Sequence, residues 1–244
     1  VNALSKHLRV EVRRSGYVWT QEYERGRPLA DLARGEKTDE HGTTVEFLPD
    51  REIFETLDYN FDTLAQRIRE MAILVAKTRI SLHDERSGQR VTYFFEGGTE
   101  AFVRMLSKRR SPLHPDPILL RGDIETTQVD IALMYCNTVA EHILAFANTI
   151  RNANGGTHLT GFRSALTRTL NDYARRNGLL KDNDANLSGE DVREGLTAVI
   201  SVMIPEPQFE GQTKERLGNS EVAGHVQSLV NEQLGTYFHE HPTE

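Results

Sequence analysis

Near its start the chain holds two stretches in which apolar and polar residues alternate, Leu8-Arg9-Val10-Glu11-Val12-Arg13 and Tyr17-Val18-Trp19-Thr20-Gln21-Glu22-Tyr23, joined across Ser15-Gly16. A period of two places alternate side chains on opposite faces of a strand, so the pair reads as a hairpin in an antiparallel sheet with one wet face. A polar, glycine-bearing stretch around residues 35–42 leads to a further strand, Thr43-Thr44-Val45-Glu46-Phe47, stopped by Pro49-Asp50. The period then changes. Phe61, Leu64, Ile68, Met71 and Val75 stand three and four apart, which predicts a helix with those residues inward and Arg67, Arg69 and Glu70 outward.

Two more strands bracket the turn Arg86-Ser87-Gly88-Gln89, and Glu96-Gly97-Gly98 breaks the pattern before a helix over Thr99 to Leu106. A domain boundary is placed there, near Gly97-Gly98. Strands follow at Ile118–Leu120, Val129–Tyr135 and His142–Ala147, then a Gly/Asn-rich turn from Asn152 to Gly156. A long helix starts at Thr157, with Leu159, Phe162, Leu166, Leu170 and Tyr173 on one face and Gly178 placed to end it. Ser188-Gly189-Glu190-Asp191 follows an acidic loop and has the form of a helix cap. Leu196 to Ile204 reads as a strand closed by Pro205 and Pro207, Gln208 to Gly218 as a loop, and the remainder as a helix with Val222, Val226, Leu229, Leu234 and Phe238 inward.

At 244 residues the chain has room for two ordinary domains, and 38 % hydrophobic with 27 % charged residues is a globular composition. Lys and Arg number 29 against 36 Asp and Glu, a formal net charge of -7, which excludes a uniformly basic nucleic-acid binder but not a locally basic face. The single cysteine, Cys136, lies in an apolar run and reads as a buried residue in a reducing compartment. No stretch approaches the length of an apolar membrane span and the first residues lack a signal-peptide core, so a soluble, cytoplasmic protein is expected.

Phosphate-binding Walker loops, the dinucleotide glycine fingerprint, paired Cys-x-x-Cys and His-Glu-x-x-His are all absent. His239 and His241 are the closest histidine pair, and an exposed His-x-His near a terminus is ordinarily solvated. Between Thr157 and Gly178 stand four arginines, Arg163, Arg168, Arg175 and Arg176, against the one acid Asp172. A solvated helix face accounts for them, and so does a surface that tracks phosphates, because the guanidinium fork matches phosphate oxygens. Gln212-Thr213-Lys214, between Gly211 and Gly218, sets two hydrogen-bonding side chains beside an ammonium, and by composition alone it is an exposed loop.

Taken in order, several segments resemble the gyrase B family of type IIA DNA topoisomerases. They are Val1-Asn2-Ala3-Leu4-Ser5, Gly42-Thr43-Thr44-Val45-Glu46-Phe47-Leu48-Pro49, Tyr93 to Phe102 with Glu96-Gly97-Gly98, Gly155-Gly156-Thr157-His158-Leu159-Thr160-Gly161-Phe162-Arg163, Ala165 to Asn171, and Pro207-Gln208-Phe209 through Gln212-Thr213-Lys214. Each alone is weak; the ordered set is specific. The resemblance implies an α+β chain. Residues 1–97 correspond to the C-terminal part of a GHKL-type ATPase domain, an α/β sandwich, and residues 98–244 to a transducer domain like domain 2 of ribosomal protein S5. It also implies a left-handed β-α-β crossover, against the usual right-handed rule.

What the resemblance implies about chemistry is equally definite. Lys214 and Gln212 reach the γ-phosphate of ATP, Thr43 lies near the adenine, and Arg163 and Arg168 face the cavity through which duplex DNA passes. The cofactors are ATP and magnesium, and the partners are double-stranded DNA, a second B subunit, plus the gyrase A subunit. The family's catalytic glutamate, magnesium asparagine, adenine-reading aspartate and glycine-rich lid precede the Val-Asn-Ala-Leu-Ser segment, and its metal-binding acidic cluster and cleavage tyrosine lie elsewhere. The chain alone is therefore expected neither to hydrolyse ATP nor to break DNA. Two alternatives stay open at this point: the equivalent subunit of topoisomerase IV, and a stand-alone S5-like module that binds nucleic acid or protein without ATP.

Overall fold

The computed structural model describes residues 1–242. They divide into two compact units, Val1–Asn60 and a second that begins at Phe61.

The first unit is an antiparallel sheet of β1 (Ser5–Arg14), β2 (Tyr17–Glu24), β3 (Arg27–Pro28), β4 (Ala33–Lys37) and β5 (Gly42–Pro49), in the order β3-β2-β1-β5 with β4 also on β2. Arg14 pairs directly with Tyr17, so Ser15 and Gly16 form a two-residue turn. Both have positive φ, 57° and 78°, which matches the twist of the flanking strands and fixes the hairpin register. β3 and β4 are short and exposed, and their sequences carry no alternation that would announce them. At the end of β5, Asp50 is buried and bonds the Arg25 guanidinium at 2.7 Å, which closes the sheet's last strand onto the β2–β3 turn.

Only Ser5, Leu8 and Asp50 are buried in this unit, whereas Val45, Phe47, Leu48, Ile53 and Phe54 are exposed. A sheet with so little apolar cover opens at low free-energy cost. In the 244-residue chain, amides of β1 and β5 are expected to exchange with solvent about a hundredfold faster, or more, than those at the centre of the second unit. Hydrogen-exchange mass spectrometry reads this directly, and equal protection in the two units would contradict it.

The second unit opens with α1 (Phe61–Leu74), the hairpin β6 (Ile80–Asp84) and β7 (Gln89–Tyr93), and α2 (Gly98–Ser107). A five-stranded sheet comes next, made of β8 (Ile118–Ile124), β9 (Thr127–Tyr135), β10 (His142–Ala147), β11 (Ile150–Arg151) and β12 (Leu196–Met203), in the order β11-β10-β12-β9-β8. Between β10 and β12 come α3 (Thr157–Arg176) and the short α4 (Gly189–Arg193); after β12 come β13 (Phe209–Glu210), β14 (Arg216–Leu217) and α5 (Ser220–Glu240). β10 and β12 run parallel, with Leu144 opposite Val199, and the other pairs of this sheet are antiparallel.

Alternation along β9 divides the core. Val129, Ile131 and Leu133 face α3 and α5, where Phe162, Leu166, Val226 and Leu234 complete one buried cluster. Ala132, Met134 and Cys136 face the other way, onto Phe102 and Val103 of α2 and Ile73 of α1. The sheet is thus covered on both faces, as a strand with near-continuous apolar sequence requires. Because Ile73 and Phe102 share one cluster, packing joins residues 61–97 to the rest of the unit, and the composition break at Gly97-Gly98 falls inside it.

The face of α1 differs from the helical-spacing expectation. Its buried residues are Ala65, Glu70, Ala72 and Ile73, while Met71 is exposed. Glu70 turns inward because Arg151, at the sheet edge, meets its carboxylate at 3.2 Å. The expected cap of α4 is formed: Ser188 accepts from the backbone N–H of Asp191, and the Asp191 carboxylate accepts from that of Ser188. Those hydrogen bonds hold the Asp191 carboxyl below the usual carboxylate range.

Candidate functional site

The stretch read from sequence as a loop, 208–218, is a small hairpin. Phe209 pairs with Leu217 and Glu210 with Arg216, leaving residues 211–215 as its tip. Two residues there take the left-handed conformation, Gly211 with φ 72° and Lys214 with φ 56°, and the Lys214 N–H donates to the Gly211 carbonyl at 3.3 Å. An ion pair of 3.1 Å between Arg216 and Glu210 spans the strands.

The hairpin is clipped to the start of α3. Asn152 Nδ2 donates to the Lys214 carbonyl at 2.8 Å, the Asn154 N–H to the Glu215 carbonyl at 2.9 Å, and Asn154 Nδ2 to Glu215 Oε2 at 2.9 Å. Next to these, the Leu217 N–H donates to the Gly155 carbonyl, and Gly156 and Leu217 form a parallel bridge. Leu217 is buried in the core shared by α3 and α5. The backbone on either side of Lys214 is therefore fixed, while the side chains of Gln212 and Lys214 are exposed and, among the described residues, make no hydrogen bond or ion pair. The Lys214 ammonium lies 5.8 Å from the Phe209 ring centre, near the limit of a cation–π contact. Chemically, a mobile ammonium and an amide on a rigid base suit a terminal anion. Thr43 belongs to the first unit, exposed on β5 and paired with Val12 of β1.

The four arginines of α3 are not equivalent. Arg175 is committed to structure, donating to Asn186 Oδ1 and to the carbonyls of Lys181 and Asp184, so it holds the acidic loop against its own helix. Arg163 Nη2 donates to Glu141 Oε1 at 2.6 Å, and the other oxygen of Glu141 accepts from Arg193 Nε at 2.7 Å. Arg168 has no hydrogen-bond or ion-pair partner among the described residues. Arg163, Arg168 and Arg193 line a shallow groove of about 520 Å³, with Asp172 as its acid. Sequence reading missed Glu141 and Arg193. Neither lies on α3, and no local period links positions 22 and 30 residues away from Arg163.

Polar atoms without partners collect near the N-terminus of α3. Asn152 Oδ1, Thr157 Oγ1 and both ring nitrogens of His158 are buried and unbonded. Burial pushes the His158 imidazole down to about 4, against about 6.5 in an unfolded chain. Protonation thus favours the unfolded state. The neutral ring contributes its full stability above about pH 6.5, and this is lost as pH falls towards 4, by about 2 kcal/mol at pH 5. Urea unfolding at pH 7.5 and pH 5 is expected to show this loss in the parent and a flatter dependence in His158→Leu; equal pH slopes would refute it.

No group of three His, Cys, Asp or Glu able to hold a metal ion occurs among the described residues. His241 stacks on Tyr237 at 4.3 Å and His239 meets the edge of Tyr173, so both histidines serve aromatic packing at the end of α5. No helix among the described residues is long and apolar enough to cross a membrane.

A family model described as DNA gyrase B matches residues 98–244. The B subunit of DNA gyrase from Clostridium acetobutylicum is 49 % identical over 243 residues, covering 99 % of this chain and 38 % of that protein. The chain thus spans well under half the length of that relative. Among solved structures, the 43K ATPase domain of Thermus thermophilus gyrase B, crystallised with an aminocoumarin, superposes with a TM-score of 0.77 at 36 % identity, over 99 % of this chain and 66 % of that one. The topoisomerase IV ATP-binding domain of Francisella tularensis, in complex with a small-molecule inhibitor, gives 0.80 at 27 % identity, again over 99 % and 66 %.

Proposed function

This chain belongs to the DNA gyrase B family, and from that premise we propose that it couples ATP binding and hydrolysis to gate closure and strand passage, the isomerase cycle that negatively supercoils DNA. Its α+β fold is that of part of a GHKL-type ATPase domain followed by an S5-like transducer. In this reading residues 1–97 belong to the former and 98–244 to the latter. The assembly is a cytoplasmic heterotetramer with the gyrase A subunit, in which ATP closes two B subunits around a second duplex. The 244 residues act as its coupler, a role that asks no hydrolysis of them.

The observation that carries the proposal is the clipped hairpin. Lys214 and Gln212 present uncommitted side chains on a backbone that Asn152, Asn154 and Gly156 tie to α3. A γ-phosphate engaged by Lys214 makes a charge-assisted contact that ends when the phosphate leaves. The ammonium tracks the phosphate, and the clip passes any displacement of the hairpin to the N-terminus of the arginine-bearing helix. Rigid elements joined in this way convert a local change into a movement of helices. Thr43 supports the nucleotide from β5, and Arg163 and Arg168 meet the transported duplex through phosphate contacts that carry no sequence information. ATP supplies the γ-phosphate that distinguishes the two states.

The test is reconstitution of a B subunit of the relatives' full length, containing this sequence, with its A subunit partner on relaxed plasmid. Negative supercoils are expected with ATP and not without it. Decatenation without supercoiling would reassign the chain to topoisomerase IV. DNA binding with no nucleotide-dependent activity, and indifferent to Lys214, would identify a plain interaction module.

A further inference from the structure

We propose that Glu141 is an internal competitor for DNA phosphate, occupying with its carboxylate the place between Arg163 and Arg193 that a phosphodiester would take; this rests on the reading of the α3 arginines as a DNA-facing surface. A carboxylate and a phosphate offer the same paired oxygens to a guanidinium fork. Here the two oxygens are divided between two forks, at 2.6 Å to Arg163 Nη2 and 2.7 Å to Arg193 Nε. The groove beside them, with Arg168 on its wall, is open to solvent, so a duplex backbone can reach the same guanidiniums.

Exposure decides between a permanent brace and a displaceable one. The Glu141 and Arg163 side chains are 37 % and 38 % exposed. At this exposure the Arg163–Glu141 pair is worth up to about a factor of five in an equilibrium constant, so an arriving phosphate displaces the carboxylate from Arg163 at little cost. Arg193, at 18 %, is the more fixed member and lies on the capped helix α4. The carboxylate thus keeps the two cations from binding a phosphate firmly, and it reclaims them as soon as the duplex moves on. A surface that must let DNA pass gains from such a competitor, because firm binding would hold the transported segment in place.

The test is duplex binding by the 244-residue chain, followed by fluorescence anisotropy across a salt series. Glu141→Gln keeps the shape and removes the charge. It is expected to tighten binding about two- to fivefold near 0.1 M salt. The slope of log K against log salt should steepen by about one, the signature of one more phosphate neutralised. Glu141→Asp, too short to span both guanidiniums, is expected to fall between Gln and the parent. Inorganic phosphate at matched ionic strength is the single-anion control.

A lower unfolding temperature for Glu141→Gln with unchanged DNA affinity and slope would make Glu141 a structural brace and overturn the proposal. If Arg163→Ala weakens the parent while neither Glu141 variant changes it, the competitor fails and the DNA-facing reading stands. If the parent binds no duplex and Arg163→Ala changes nothing, both fail. Tightening confined to inorganic phosphate would overturn the assignment of the ligand to DNA.

Discussion

Lys214→Ala, introduced into a full-length B subunit reconstituted with its partner, is expected to reduce ATP-dependent supercoiling by about a hundredfold or more while the protein folds normally. Truncating one partner of a hydrogen-bonded charge pair typically costs about 2–5 kcal/mol, which spans a loss of that size or more. The loss is proposed to fall on coupling, because Lys214 is the cation of a hairpin whose backbone is held independently of its side chain. The Lys214 carbonyl, not its ammonium, receives the Asn152 amide, so alanine keeps the clip. Its side chain contributes to the fold only a distant approach to Phe209. Stability should therefore change by no more than about 0.5 kcal/mol, the range of exposed substitutions. Supercoiling assays with thermal unfolding of the same preparations check both halves. Equal supercoiling by mutant and parent would remove Lys214 from the nucleotide-sensing role; a collapse of stability would mean that lost activity reported misfolding.

The second large effect is on stability. Gly156→Ala is expected to destabilise the second unit by about 3 kcal/mol or more, the cost of forcing a closely packed backbone apart. A Cβ at this position would stand 2.5 Å from the Leu217 carbonyl oxygen and 2.6 Å from its nitrogen, and φ is 141°, which L residues rarely adopt. The obstructing atoms are backbone, so no side chain can swing away. Relief requires parting β14 from the start of α3, which breaks the bridge between Gly156 and Leu217 and draws Leu217 from the core. Gly178→Ala is the control. Its φ of 69° is also left-handed, but nothing lies within 4 Å of the added carbon, so it should cost only about 1 kcal/mol. For a unit of this size the difference corresponds to several degrees in unfolding temperature. Denaturant unfolding of both variants reads it, and equal costs would show that close approach is not what fixes glycine at 156.

Both results concern a junction that the sequence only partly announced. The Gly/Asn turn at 152–156 and the stretch at 208–218 were each legible as irregular segments between regular ones. That they are one structure was not, since the amide of Asn152 meets the Lys214 carbonyl across 62 positions. Composition described the second segment as an exposed loop, whereas pairing of Phe209 with Leu217 makes it a hairpin. Two-residue strands hold no alternation to detect.

Helix α1 teaches the same lesson in the core. Spacing placed Met71 inward and Glu70 outward. The structure reverses both because Arg151, from a strand beyond the next helix, supplies a counter-charge that a one-dimensional pattern cannot contain. Arg163 was legible as a cation on a basic helix, but its state was not. Its carboxylate partner lies on the connection between β9 and β10, and the second guanidinium on α4.

What the sequence determined alone is what local physics controls. Alternation set the first two strands, apolar runs set the central strands of the second unit, spacing of three and four set the long helices, Ser15-Gly16 set the first turn, and Ser188 with Asp191 set the cap of α4. An ordered set of short segments was enough to point to the family, because each constrains a different part of one fold. Tertiary structure alone decided which helix face is buried, which arginines are committed, that Glu141 stands between two of them, and that the Lys214 hairpin is tied to α3. These outcomes depend on contacts between residues tens of positions apart. Charge pairing and close backbone approach act through space, and they leave no period along the chain.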